Sequence, residues 1–318
     1  MAGKTDYEKH SRKVDLEYPH LGEFDKFELF GLQGFEDGKK VIRVTNVELS
    51  EGQKRVFERT SEIYSSFKKI QKLYEMYLSD YAEFNKSLND YEKTVPKKSK
   101  DNFSQEDDFN RRLIHILSSA ILSVTYFENE INRVYGKKSL QFNEWKKKLG
   151  VVYDRDFAYR FCYHLRNYTQ HEGLAIAIIS ITTGNENPEK KCTCNLEIVP
   201  ERLIATSYSW NKKIEIELKN IKGSISLRHL LNDLFKSMMS IYVIENTFFL
   251  ECNHEELTEL IQMHKVLYPE NKLPCLVPTS KQELKNGEIN TITPLPSLMD
   301  INRIYVDLSK IGLVDLIK

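Results

Sequence analysis

The chain has 318 residues, with 46 basic and 46 acidic side chains and no formal net charge. Hydrophobic residues at 41% and charged residues at 29% exclude a disordered tail, and the even balance excludes a protein that coats nucleic acid through its overall field. No run of about 18 apolar residues is present. The longest, Leu234 to Leu250, is broken by Lys236, Glu245 and Asn246, and Met1 to Val14 lacks the apolar stretch of a secretory signal, so a cytoplasmic location is expected.

The first segment reads as β. Phe27 to Phe35 and Val41 to Leu49 are apolar-rich runs separated by the turn signal Glu36-Asp37-Gly38, which predicts a hairpin, with loose polar residues before Tyr18. From Ser50 the period changes. Val56, Thr60, Ile63, Phe67, Ile70, Tyr74, Tyr77, Tyr81, Phe84, Leu88 and Tyr91 step by four and three, a heptad seam in a helix about 50–60 Å long. The seam is aromatic rather than leucine-rich, and tyrosine hydroxyls need partners or water, so a half-wet helix interface is expected. It is read as packing within its own domain, with an intermolecular coiled coil as the alternative. Val95-Pro96 ends it.

A second helix is expected from Ser104, with Ser104 as cap and Glu106, Asp107 and Asp108 at its positive end. Its stripe of Leu113, Ile116, Leu117, Ala120, Val124, Phe127, Ile131 and Val134 stops at Gly136. A short helix from Phe142 to Leu149 ends at Gly150, and another runs from near Asp154 through Phe157, Phe161, Leu165 and Tyr168 to Gly173. Leu174 to Thr182 and Cys192 to Val199 read as a β-hairpin around a turn at Thr183 to Pro188. Ser226 opens a long helix carrying Leu230, Leu234, Met238, Ile241 and Phe248, and Asn253 with Glu256 forms a capping box for a separate helix through Leu257 to Leu267. Beyond Pro269 only Ile304 to Leu308 suggests a strand, at an edge.

The fold class is therefore mainly α. It divides into an N-terminal hairpin-like segment (1–49), the long aromatic-seam helix (50–95), a helical domain (104–268) with a β-hairpin insertion near 174–199, and a C-terminal extension (269–318). The five cysteines, Cys162, Cys192, Cys194, Cys252 and Cys275, read as reduced and structural. Cys192 and Cys194 would share a strand face, but a zinc site needs two more ligands at regular spacing, so no metal or cofactor is expected. There is no Gly-rich phosphate loop, His-Glu-x-x-His or Gly-x-Ser-x-Gly. Lys97, Lys98 and Lys100, and separately Lys146, Lys147 and Lys148, read as solvated charges, with phosphate tracking as the alternative.

The informative stretch is Tyr163-His164-Leu165-Arg166-Asn167-Tyr168-Thr169-Gln170-His171-Glu172-Gly173. Helical rotation places Arg160, His164, Asn167 and His171 in one polar stripe, with Arg166 about 140° around the helix from His171. Cleavage of RNA by its own 2′-hydroxyl needs a base, an acid and a fixed cation for the phosphorane charge, and no metal. Histidine moves protons near neutrality, and arginine grips two phosphate oxygens at once. An adjacent asparagine can orient either, and DNA lacks the attacking hydroxyl. Chance gives about 0.3 Arg-x4-His pairs in a chain with 13 arginines and eight histidines, and about 0.02 once Asn must follow Arg.

Arg166-Asn167-x-x-x-His171 resembles the Arg-x4–6-His signature of HEPN domains, in which a polar residue usually follows the arginine, and Phe127-Glu128-Asn129-Glu130-Ile131-Asn132-Arg133 resembles an early helix of that fold. The resemblance covers Ser104 to Gly173 and extends toward the helices ending at Leu267. It implies an α-helical bundle that forms a homodimer with its motif helices adjacent, a composite ribonuclease site, and a role in toxin–antitoxin or antiphage defence, with RNA as substrate and an antitoxin or regulatory protein as further partner. Carried over, His171 is the acid/base, Arg166 the phosphate clamp and Asn167 the orienting residue, with His164, Arg160 and Glu128 as supporting candidates. The β segment after the motif and the large flanking elements depart from a minimal toxin. The alternative is a non-catalytic helical interaction or dimerisation module, with Arg166 in an ordinary ion pair, His171 an exposed helix end and His164 structural.

Overall fold

The structure, a computed structural model, describes residues 2–20, 22–36, 39–45, 49–94, 103–182, 192–267, 272–297, 300 and 302–304. In chain order it comprises α1 (Ala2–Glu17), β1 (Phe27–Glu36), β2 (Lys39–Val44), α2 (Glu51–Thr94), α3 (Phe103–Tyr135), α4 (Leu140–Arg155), α5 (Phe157–His171), β3 (Ile178–Thr182), β4 (Thr193–Ile198), α6 (Pro200–Ile204), α7 (Lys212–Asn220), β5 (Ile225–Ser226), α8 (Leu227–Leu267), β6 (Leu273–Thr279), α9 (Lys281–Asn286) and β7 (Thr293–Pro294). The fold is mainly α with small antiparallel sheets, as expected from the helical periodicities. No helix among the described residues is long and apolar enough to cross a membrane. Packing separates two units, Met1–Phe67 with Leu250–Lys318, and Lys68–Phe249.

The first unit joins the two ends of the sequence. The expected hairpin forms, with β1 antiparallel to β2, but β1 also pairs along its other edge with β6, in the order β2-β1-β6-β7. The C-terminal extension therefore supplies a sheet strand. Pro274 and Pro278 disguise β6 in the sequence, because proline donates no ladder hydrogen bond and argues against an inner strand. The segment before Tyr18, expected to be loose, is α1. Val14 and Tyr18 anchor it in a small core with Leu29 and Leu284, and Lys281 and Lys285 both reach Asp15. Packing partners nearly 270 residues away stabilise a helix whose own sequence has little apolar periodicity. Helix α9 begins with a full capping box, Ser280 with Glu283, and ends at Gly287, whose φ of +71° favours glycine.

In the second unit the aromatic seam is inside. Ile70, Tyr74, Tyr77, Phe84 and Leu88 are buried, while Tyr81 and Tyr91 are partly so. Tyr74 stacks on Tyr242 at 3.9 Å between ring centroids, and Tyr81 Oη donates to Asn232 Oδ1 at 2.5 Å. Within the seam Tyr77 Oη is buried with no hydrogen-bond partner among the described residues, while the Tyr81 hydroxyl bond is exposed. Helix α3 ends before Gly136 as expected, and Ser104 lies one residue inside it. Helix α4 runs straight through Gly150. A helical glycine costs about 1 kcal/mol, and the burial of Phe142, Trp145 and Val152 along one face outweighs it.

Helix α8 is likewise continuous where a break was expected at Asn253, a residue 5% exposed within the helix. The 3-stranded sheet β3-β4-β5 contains the expected hairpin. Glu92 fastens the end of α2 to it, accepting from the Cys194 amide at 2.9 Å and from Arg228 Nη2 at 2.6 Å. None of the five cysteines is in a disulfide, and among the described residues no group of His, Cys, Asp and Glu could hold a metal ion. The turns at Asp37-Gly38 and Thr183 to Pro188, the helix stop at Val95-Pro96, Lys97, Lys98 and Lys100, and residues 305–308 of the expected edge strand lie outside the described residues.

Candidate functional site

Helix α5 carries every motif residue. It packs on α3 and α4, and its Ala158, Tyr159, Phe161, Cys162, Leu165 and Tyr168 are buried. The chain turns out of it at Gly173, whose φ is +155°, and is then held by Asn110 of α3, whose Oδ1 accepts the Ile176 amide at 3.0 Å. Asn110 is 1% exposed and its Nδ2 donates to the Glu106 carbonyl, so the position of the motif's C-terminal end is set from within the core.

Arg166 and Asn167 are brought together. Arg166 Nη1 donates to Asn167 Oδ1 at 3.1 Å, and no carboxylate pairs with Arg166 among the described residues. Its Nε is buried without a partner. Apart from Asn167, its Nη donors have no partner among the described residues, and a guanidinium without a carboxylate can grip an oxyanion. His171 is the last residue of α5 and is exposed. It shares no hydrogen bond with Arg166 or Asn167.

The supporting candidates are each engaged elsewhere. Arg160 is 3% exposed; its Nε and Nη2 hold both Glu217 carboxylate oxygens, while Nη1 donates to the Tyr153 and Asp154 carbonyls. Those bonds use its fork in joining α5 to α7 and to the end of α4. His164 is half-buried, with Nε2 2.8 Å from Tyr153 Oη and Tyr163 edge-on to its ring. Burial first, and the Arg160 charge second, hold its imidazole below the usual pKa. Glu128 accepts from Lys146 Nζ at 2.9 and 3.0 Å, which also accounts for one cation of the Lys146–Lys148 run.

Sequence reading missed the segment after α6. Ser207 Oγ donates to Glu172 at 3.2 Å, and Tyr208 and Trp210 lie against Tyr168 with ring centroids 5.6 and 5.3 Å away. Burial, and the Glu172 charge with it, raise the Tyr208 phenol pKa. The run Tyr208-Ser209-Trp210 was the one available signal. A groove of about 630 Å³, lined by Arg155, Asp156, His229, Asp233 and Lys236 among others, opens at the opposite end of α5. The motif residues do not line it. No protein-family model matches the chain, and neither does any curated protein or solved structure.

Proposed function

We propose that the chain is a metal-independent endoribonuclease of HEPN type that works as a homodimer, acting as a toxin or antiphage effector. The observation that carries this reading is Arg166, a guanidinium held by Asn167 with no carboxylate neutralising it, one helical turn and a half before an exposed His171. In the reaction, the ribose 2′-oxygen attacks the adjacent phosphorus and the bond to the 5′-oxygen breaks. One imidazole removes the 2′-proton, an acid returns a proton to the leaving 5′-oxygen, and Arg166 offsets the added negative charge of the phosphorane. The products are a 2′,3′-cyclic phosphate and a free 5′-hydroxyl. Because Arg166 and His171 project about 140° apart on one helix, the reading requires a second copy to complete the pair.

The test is RNA cleavage by purified protein in excess EDTA, with product ends identified by phosphatase sensitivity and mass. Arg166→Ala or His171→Ala is expected to lower the rate by about 10³-fold while leaving the melting temperature unchanged. Undiminished cleavage by both variants removes the assignment. One observation favours a second reading, a non-catalytic interaction module: Arg166, Asn167 and His171 line neither the groove at the start of α5 nor the one of about 490 Å³ beside Glu83, Asp90 and Arg112. That reading expects no RNA product at any protein concentration.

A further inference from the structure

We infer that β3 is the edge at which a second copy of this chain adds, strand against strand, about a two-fold axis through Ser180. Open sheet edges expose unpaired backbone groups, and proteins blunt those meant to stay free with charges, prolines or short strands. Of the four sheet edges among the described residues, three are blunted. Strand β2 carries Lys40 and Arg43; β7 is two residues long and contains Pro294; β5 is two residues long and runs directly into α8. Strand β3 has none of these devices. It is five residues long, Ile-Ile-Ser-Ile-Thr, and no charged residue or proline occurs anywhere from Gly173 to Gly184. Among the described residues it pairs only with β4, so its alternate amides and carbonyls point outward on the other side.

The side chains identify the occupant as a second copy. Ile179 and Ile181 stand opposite the buried Leu196 and Cys194 of β4, on the apolar face of the sheet, yet both remain only partly buried. Antiparallel pairing about Ser180 sets Ile179 of one copy against Ile181 of the other and continues that apolar row across the axis. Ser180 meets Ser180, and Ile178, 38% exposed, meets Thr182. The strand is its own complement and brings no like charges together, whereas β2 against itself would oppose cations. This deepens the proposed function by naming the homodimer interface, beside the segment that leaves the motif helix, and it rests on that reading only for the expectation of two copies.

Sedimentation equilibrium of the full chain tests it, using wild type, Ser180→Lys, Ser180→Glu and an equimolar mixture of the two variants. Wild type is expected to pass from one chain mass toward two as concentration rises. Each variant, with like charges on the axis, is expected to dimerise at least about tenfold more weakly, and the mixture to recover by pairing opposite charges. Ser180 is exposed, so circular dichroism should find both variants folded. Hydrogen exchange on wild type serves if either is not, the β3 amides slowing as concentration rises. A wild type that stays at one chain mass, variants that dimerise as wild type does, or a mixture without recovery overturns the interface. Cleavage assays keep the two ideas apart: a dimer of this kind that never cuts RNA sinks the nuclease alone, and a cleaving monomer sinks this interface.

Discussion

Tyr153 Oη lies 2.8 Å from His164 Nε2, tying the C-terminal half of α4 to the motif helix one turn before Tyr168. The contact assigns His164 to the joint between two helices, with Arg160 stacked 5.8 Å from the centre of the same tyrosine ring.

A pH dependence follows from that joint. The His164 pKa is depressed in the folded chain, so the unfolded chain binds its proton first as pH falls. The stability this histidine contributes is complete above about pH 6.5 and is lost as pH drops through the folded value. His164→Gln is expected to flatten the acid limb of a melting-temperature profile below pH 6.5. Tyr153→Phe should cost about 1 kcal/mol by chemical denaturation.

Glu245 acts in the opposite direction. It is 1% exposed in the middle of α8, its Oε1 has no hydrogen-bond partner among the described residues, and burial raises its pKa well above the ordinary carboxylate range. Tyr74 of α2 and Tyr159 of α5 lie near enough for its charge to raise their phenol pKa values further. The folded chain therefore keeps a proton that the unfolded chain releases above about pH 4.5, and stability falls as pH rises from there. Glu245→Gln is expected to raise the melting temperature at pH 8 by several degrees and to remove most of the decline between pH 5 and 8. Parallel profiles for the variant and wild type would place the proton elsewhere.

Arg160 and Glu217 form a largely buried ion pair, with side chains 4% and 27% exposed. Removing one partner strands the other charge, so Arg160→Met or Glu217→Gln should each destabilise by about 3 kcal/mol. The double variant should cost less than the sum of the two. Urea unfolding of the four proteins measures this. Full RNA cleavage by a folded Arg160→Met variant would agree with a purely structural arginine.

Asn110→Ala removes the acceptor of the Ile176 amide and leaves a buried donor unpaired, a loss of about 1–3 kcal/mol. The effect should be local as well as global. Amide exchange from Gly173 to Ala177 is expected to accelerate more than exchange in the first turns of α5.

What could be read from the chain was what depends on neighbours a few residues apart. The α2 seam, the α3 stripe ending at Gly136 and the α5 helix with its polar stripe follow from a 3.6-residue period that local side chains impose. The misreadings have the same origin. Asn253 and Glu256 form a local capping pattern, but the burial of Leu257 and Leu260 carries α8 through it. Pro274 and Pro278 look like breaks, but both pair with β1, while β7 lies beside Cys275 and Leu276 on the other edge.

Sequence by itself determined the helical class, the residue types of the motif and their angular spacing on α5, because covalent geometry fixes which positions share a helix face. Only the tertiary structure decided that Arg160 is spent on Glu217 while Arg166 is held by an amide alone. It also decided that the first and last segments share a sheet and that the uncharged strand after the motif is an edge. Those outcomes depend on which distant segments exclude water from one another, and no local pattern encodes that pairing.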